Sequence, residues 1–138
     1  MHWTIFALLS AIFAGAVAIL GKIGLKGVDS TLATSLRSIV MATFLVLVSL
    51  SLGKFNSLNS IDNKALFFIV ASGIAGALSW LFYFFALKFG PASGVSAVDR
   101  TSAVFVLILA VLFLGETLTW MKAVGALLIV GGAILMIL

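Results

Sequence analysis

Five stretches of about twenty apolar residues, at roughly 3–26, 31–52, 65–87, 92–114 and 118–138, leave this chain few ways to fold. A helix needs ~20 apolar residues to cross ~30 Å of hydrocarbon, and each stretch is long enough. The strands of a membrane barrel alternate apolar and polar residues, and these stretches do not. Hydrocarbon offers backbone N–H and C=O groups no partner, so a spanning segment must satisfy them within itself, as a helix does. The expected fold is all-α: a polytopic membrane protein with five transmembrane helices in a single domain, 1–138.

Composition agrees. The chain is 64% hydrophobic and 9% charged, whereas a soluble domain carries roughly 25% charged residues. The lipid bilayer is therefore its solvent. Eight Lys and Arg, giving a net charge of +4, are scattered among apolar runs and form no basic patch, so nucleic acid is not an expected partner. The absence of cysteine excludes thiol chemistry, disulfides and Cys metal sites. The single histidine, His2, reads as an interfacial bystander. With no second histidine, no paired carboxylates on one helix face and no glycine-rich phosphate loop, neither an enzyme nor a cofactor or metal is expected. The first stretch is read as a retained span. It has Ala16-Val17-Ala18 as a small-residue run, but no Lys or Arg before it, and its apolar core is longer than a signal peptide's.

Small residues recur at helix-packing spacings: Ala7, Ala11 and Gly15 in the first segment, Gly73, Gly76 and Ala77 in the third, Gly125 and Gly132 in the last. Such faces let helices approach closely. Gly90-Pro91 ends the third segment. Thr119 is placed to cap the fifth.

The charges inside the apolar runs carry the functional signal. Asp99 and Arg100 stand side by side within the fourth segment, where an ionisable residue costs roughly 2.5–3.5 kcal/mol on insertion scales and usually faces a bundle interior or a wet cavity. Counting ~1.5 Å per residue from one membrane face, Lys22, Arg37, Asp99 and Arg100 all fall about 7–12 Å deep, and Tyr83 shares that layer. Trp80 stands where a cavity wall is expected. Adjacent helical residues point about 100° apart, so Asp99 is expected to turn inward to Arg37 or Lys22. Arg100 then lines the cavity or snorkels. Three bases and one acid can receive an anion or a zwitterion. The plain alternative is that Lys22 and Arg100 snorkel and an ion pair locks helices together. Glu116 reads as a boundary residue.

Among the lysines, Lys22, Lys26 and Lys88 toward one face balance Lys54, Lys64 and Lys122 toward the other. Arg37 and Arg100 tip the count only weakly toward one cytoplasmic face. A chain this balanced can insert both ways. Two copies in opposite orientation make a ten-helix, inverted-repeat body, a plan that many transporters use. A homodimer is the expected state.

The run SWLFYFFALKFGPASGVSAV at 79–98, followed by LFLGETLTWMKAVGALLIVGGAILMIL at 112–138, resembles the EamA repeat of the drug/metabolite transporter superfamily. The matching features are Ala86-Leu87-Lys88 ending an aromatic-rich third helix, Gly115-Glu116, Leu118-Thr119 and a glycine-punctuated last helix. Lys22 and Arg37 also sit where that repeat often has basic residues. The resemblance covers essentially the whole chain. It implies one inverted-repeat unit of a ten-helix assembly, secondary transport of a small metabolite or drug-like solute by alternating access, and a prokaryotic inner membrane. Longer members often have Pro at the position of Ala103, and five-helix relatives often have an acidic–basic pair at the position of Asp99-Arg100. The competing readings are an accessory membrane subunit that transports nothing itself and a lipid-phosphate translocator.

Overall fold

The computed structural model describes residues 2–138. The chain forms α1 (Trp3–Gly24), α2 (Ser30–Ser51), a 3₁₀ helix (Lys54–Ser60), α3 (Asn63–Phe89), α4 (Ala92–Asp99), α5 (Ser102–Leu114) and α6 (Trp120–Ile137). Among the described residues there is no strand. Among the described residues five segments are long and apolar enough to cross a membrane: α1, α2, α3, α4 with α5 as Ala92–Leu114, and α6. The chain is an all-α, multi-pass integral membrane protein.

Two features depart from the pattern expected of the sequence. The polar connection after α2 is partly ordered as the 3₁₀ helix, entered through Gly53 in the left-handed region at φ 63°. The fourth span is interrupted: α4 ends at Asp99 and α5 starts at Ser102.

Helix ends follow from local chemistry. Asp29 has extended backbone angles, and its carboxylate accepts from the N–H groups of Thr31 at 2.9 Å and Leu32 at 3.0 Å, two donors the first turn of α2 leaves open. The Leu32 hydrogen bond is the largest influence holding the exposed Asp29 carboxyl below its usual range; the Thr31 bond and the charge of Lys88 act in the same direction, against some loss of hydration. A carboxyl depressed in the folded state stabilises it above the unfolded carboxyl's pKa, and that contribution is lost as pH falls through the folded value. Asp29→Ala is therefore expected to lower the melting temperature in detergent at neutral pH, and to match the unaltered protein once the medium is acid enough to protonate Asp29. A difference that persists undiminished in acid would exclude the cap as its source.

At the other end of the chain, Gly115 ends α5 in the left-handed region at φ 67°, where a side chain would be strained. The N–H groups of Gly115 and Glu116 then both reach the Ala110 carbonyl. Thr119 caps α6, its hydroxyl accepting from the Lys122 N–H at 3.3 Å.

The chain divides into two compact units, one made of α1 as far as Ile23 with Phe89–Leu138, the other Gly24–Lys88. In the first, α4 and α5 both pack on α6. The buried residues there are small: Ala18, Gly94, Ala97, Ala110 and Ala133. Association in lipid relies on close backbone approach rather than on hiding large side chains from water, which favours this composition. In the second unit the buried set is larger: Leu25, Tyr83, Phe84 and Leu87, with Ser30 and Thr34. The Thr34 hydroxyl returns a hydrogen bond to the Ser30 carbonyl at 2.8 Å. In both units large apolar side chains face outward, Phe13 at 69% and Phe44 at 65% exposed among them. A surface this apolar is suited to lipid or to another copy, not to water.

Candidate functional site

In the Gly24–Lys88 unit the expected residues Arg37, Trp80 and Tyr83 come together. Arg37 lies two turns into α2 and is half-buried. Its Cζ stands 3.6 Å from the centroid of the Trp80 ring and 5.6 Å from that of Phe84. Residues 80, 83 and 84 share one face of α3 by their spacing. The Trp80 ring meets Tyr83 edge-on at 5.4 Å and Phe84 at 6.2 Å. A guanidinium over an indole face is attracted by the ring quadrupole, more strongly where water is excluded. One donor stays open: Arg37 Nη1 is buried and has no hydrogen-bond partner among the described residues. Phe84 was not among the expected site residues. Its position four after Trp80 is the signal that places it on the same face.

In the other unit, Asp99 closes α4 and Arg100 opens the interruption. Arg100 Nη2 lies 3.8 Å from Asp99 Oδ2. Within this unit the long Arg100 stem reaches back to its own neighbour. The contact is at the outer limit of an ion pair, with Arg100 54% and Asp99 36% exposed.

The interruption is a tightened turn. Thr101 N–H reaches Val98 O at 3.0 Å, and the N–H groups of Ala103 and Val104 reach Arg100 O and Thr101 O at 3.1 and 2.9 Å. These are three-residue steps, the pattern of a 3₁₀ turn. The Thr101 hydroxyl also donates to Val98 O at 2.7 Å. Back-bonding of this kind bends helices. Thr101 thus supplies, without a proline, the break that Ala103 gave no reason to expect. A hydroxyl residue directly after a charged pair is the signal that was available in the sequence.

Lys22, half-buried in the last turn of α1, donates from Nζ to the Gly90 carbonyl at 2.9 Å, just beyond α3. A cation meeting a carbonyl past a helix C-terminus is a favourable placement. It gives Lys22 a structural task whether or not it also touches a solute. Glu116 lies in the exposed turn between α5 and α6, paired with Lys122 at 3.0 Å. Lys122 Nζ also reaches the Thr117 carbonyl at 3.1 Å. Between α5 and α6 runs an apolar groove of about 440 Å³, lined by Val104, Leu107, Val111, Leu118, Ala126 and Val130 among others. It is suited to packing or to lipid rather than to a polar solute.

A membrane span broken at an ion pair, in a body built of apolar helices, defines a polytopic membrane protein with ionisable groups held inside its spans, the class to which transporters belong. The comparisons with known proteins lead to the same class. Residues 1–138 match the EamA-like transporter family, and the chain belongs to that family. It is 38% identical over 134 residues to a Sinorhizobium sp. protein described as an uncharacterized transporter in the cobO 3' region, covering 97% of this chain and 95% of that protein. No solved structure matches the chain significantly. By class, this protein is a membrane transporter.

Proposed function

We propose that the chain is one half of a secondary transporter that moves a small metabolite or drug-like solute by alternating access. It works as a homodimer, with two copies inserted in opposite orientations in a prokaryotic inner membrane. The observation that carries this reading is the break in the fourth span at Asp99, Arg100 and Thr101. Discontinuous membrane helices with polar groups at the break are where transporters hold their solutes and coupling ions. Irregular backbone at membrane depth is tolerated where it is buried in protein or lines a wet cavity. A mid-helix 3₁₀ stretch is also a common hinge.

Two further observations support the homodimer. The lysine count on the two membrane faces is balanced, so no strong signal selects one orientation. The glycines at 15, 73, 76, 125 and 132 have nothing within 4 Å of where a Cβ would stand, so close approach by another helix remains open at each.

Transport is tested in proteoliposomes with labelled amino acids, amines, sugars and organic acids. Saturable uptake of at least one class is expected; uptake of none would end the transporter reading. Orientation is tested with a single Ser57→Cys in the cysteine-free chain, labelled on intact cells with a membrane-impermeant maleimide and again after permeabilisation. About half the molecules should label from outside. If all or none do, orientation is fixed and the opposed pair is wrong.

A further inference from the structure

We infer that Arg37, stacked on Trp80, is the receptor for the carboxylate of the transported solute. The inference narrows the reading above and rests on it for the solute's being transported.

The argument starts from an unmet donor. A buried N–H in a folded protein nearly always has a partner, and each exception needs an explanation. Nη1 of Arg37 is such an exception within a single copy of the chain. Simple snorkelling does not account for it, because the guanidinium is held 3.6 Å over the Trp80 ring on another helix, whereas a snorkelling arginine extends its head to the headgroup water.

The stacking also selects the kind of anion. With one guanidinium face on the indole, the strongest remaining recognition lies in the plane of the fork. A planar carboxylate matches that fork with two parallel hydrogen bonds. Trp80, Tyr83 and Phe84 surround the position with aromatic surface, which suits a solute whose body beside the carboxylate is apolar. The aromatic platform restricts the guanidinium before the solute arrives, which lowers the entropy lost on binding.

The test uses Trp80 as the reporter. Trp3 and Trp120, 77% and 81% exposed near the ends of their helices, are replaced by Phe. The purified full chain in nanodiscs is titrated with sodium phenylacetate, sodium succinate and inorganic phosphate while tryptophan emission is followed. Phenylacetate or succinate should change the emission saturably, with phosphate much weaker. Arg37→Gln should weaken that affinity by at least about tenfold, the scale of losing hydrogen bonds to a charged group. Arg37→Lys keeps the charge but not the planar fork, and should fall between the two; it also serves if the Gln variant does not accumulate. The inference is overturned by no saturable carboxylate response, by an equal response in Arg37→Gln or Arg37→Lys, or by phosphate or anionic lipid acting as well as carboxylate.

Uptake separates this failure from that of the transporter reading. If amines or sugars enter the proteoliposomes and Arg37→Gln takes them up unchanged, the chain is a transporter and the carboxylate site is wrong. If no solute enters, the transporter reading falls, and the carboxylate solute with it, whatever Trp80 reports.

Discussion

Asp99→Asn is expected to reduce solute uptake by at least about tenfold, a loss of only ~1.4 kcal/mol of stabilisation in the rate-limiting state, while leaving membrane insertion and assembly intact. Asp99 is the last residue of α4, where the carbonyl end of a helix favours cations over anions. It also lies inside a membrane span, and its partner Arg100 is 3.8 Å away and half exposed. Neither helix chemistry nor insertion therefore explains an acid here. Local rules broken without a structural return are most often broken at functional sites. An amide of the same shape removes the charge and lowers the insertion cost, so the variant should be at least as abundant in membranes. Comparing uptake per inserted molecule, with size-exclusion as the check on assembly, decides the point. Full uptake by Asp99→Asn would remove the residue from the pathway and leave the ion pair a helix-end ornament of the fold.

Gly94→Val should clearly lower the stability of the fold. A Cβ built at Gly94 comes within 3.2 Å of Ile137 Cγ2, 3.3 Å of Pro91 Cγ and 3.9 Å of the Met136 carbonyl. Even alanine requires those neighbours to give by a few tenths of an ångström, and a branched side chain asks for more. Overpacking of this kind typically costs about 1–3 kcal/mol. The damage falls on the contact of α4 with the end of α6, which holds the short helix that ends in Asp99. Heating the detergent-solubilised protein and following the folded peak by size-exclusion should show a clear fall in melting temperature for Gly94→Val and a smaller one for Gly94→Ala. Gly131→Ala is the contrast. Nothing lies within 4 Å of that position, and alanine in a helix interior is favoured over glycine by roughly 0.5–1 kcal/mol, so this variant should melt no lower than the unaltered chain. An unchanged melting temperature for Gly94→Val would mean that the end of α6 yields easily and α4 is not held by it.

The five spans, the all-α class and the family were legible in the amino-acid order because each depends on local information. Twenty apolar residues are a helix in lipid whatever surrounds them. Thr119 could be read as a cap because its side chain reaches an N–H three residues on. The presence of charge at Arg37, Asp99 and Lys22 was equally visible. What each charge touches was not. Arg37 meets Trp80 across forty-odd residues of chain. Helical periodicity orders the residues on each helix, but leaves open how one helix is turned and tilted against the next.

The same limit separates the glycines. Gly94 and Gly131 read alike in sequence, and only packing makes one crowded and the other open. The break in the fourth span lies between these cases. Thr101 was there to be read, yet a hydroxyl bonded back to Val98 is one of several states open to a helical threonine, and only the tertiary structure selects it. Sequence alone thus determined which segments enter the membrane and which charges go with them, because burial in lipid acts on each segment separately. The partners of those charges were decided by tertiary structure, because they depend on the relative placement of side chains that no local rule constrains.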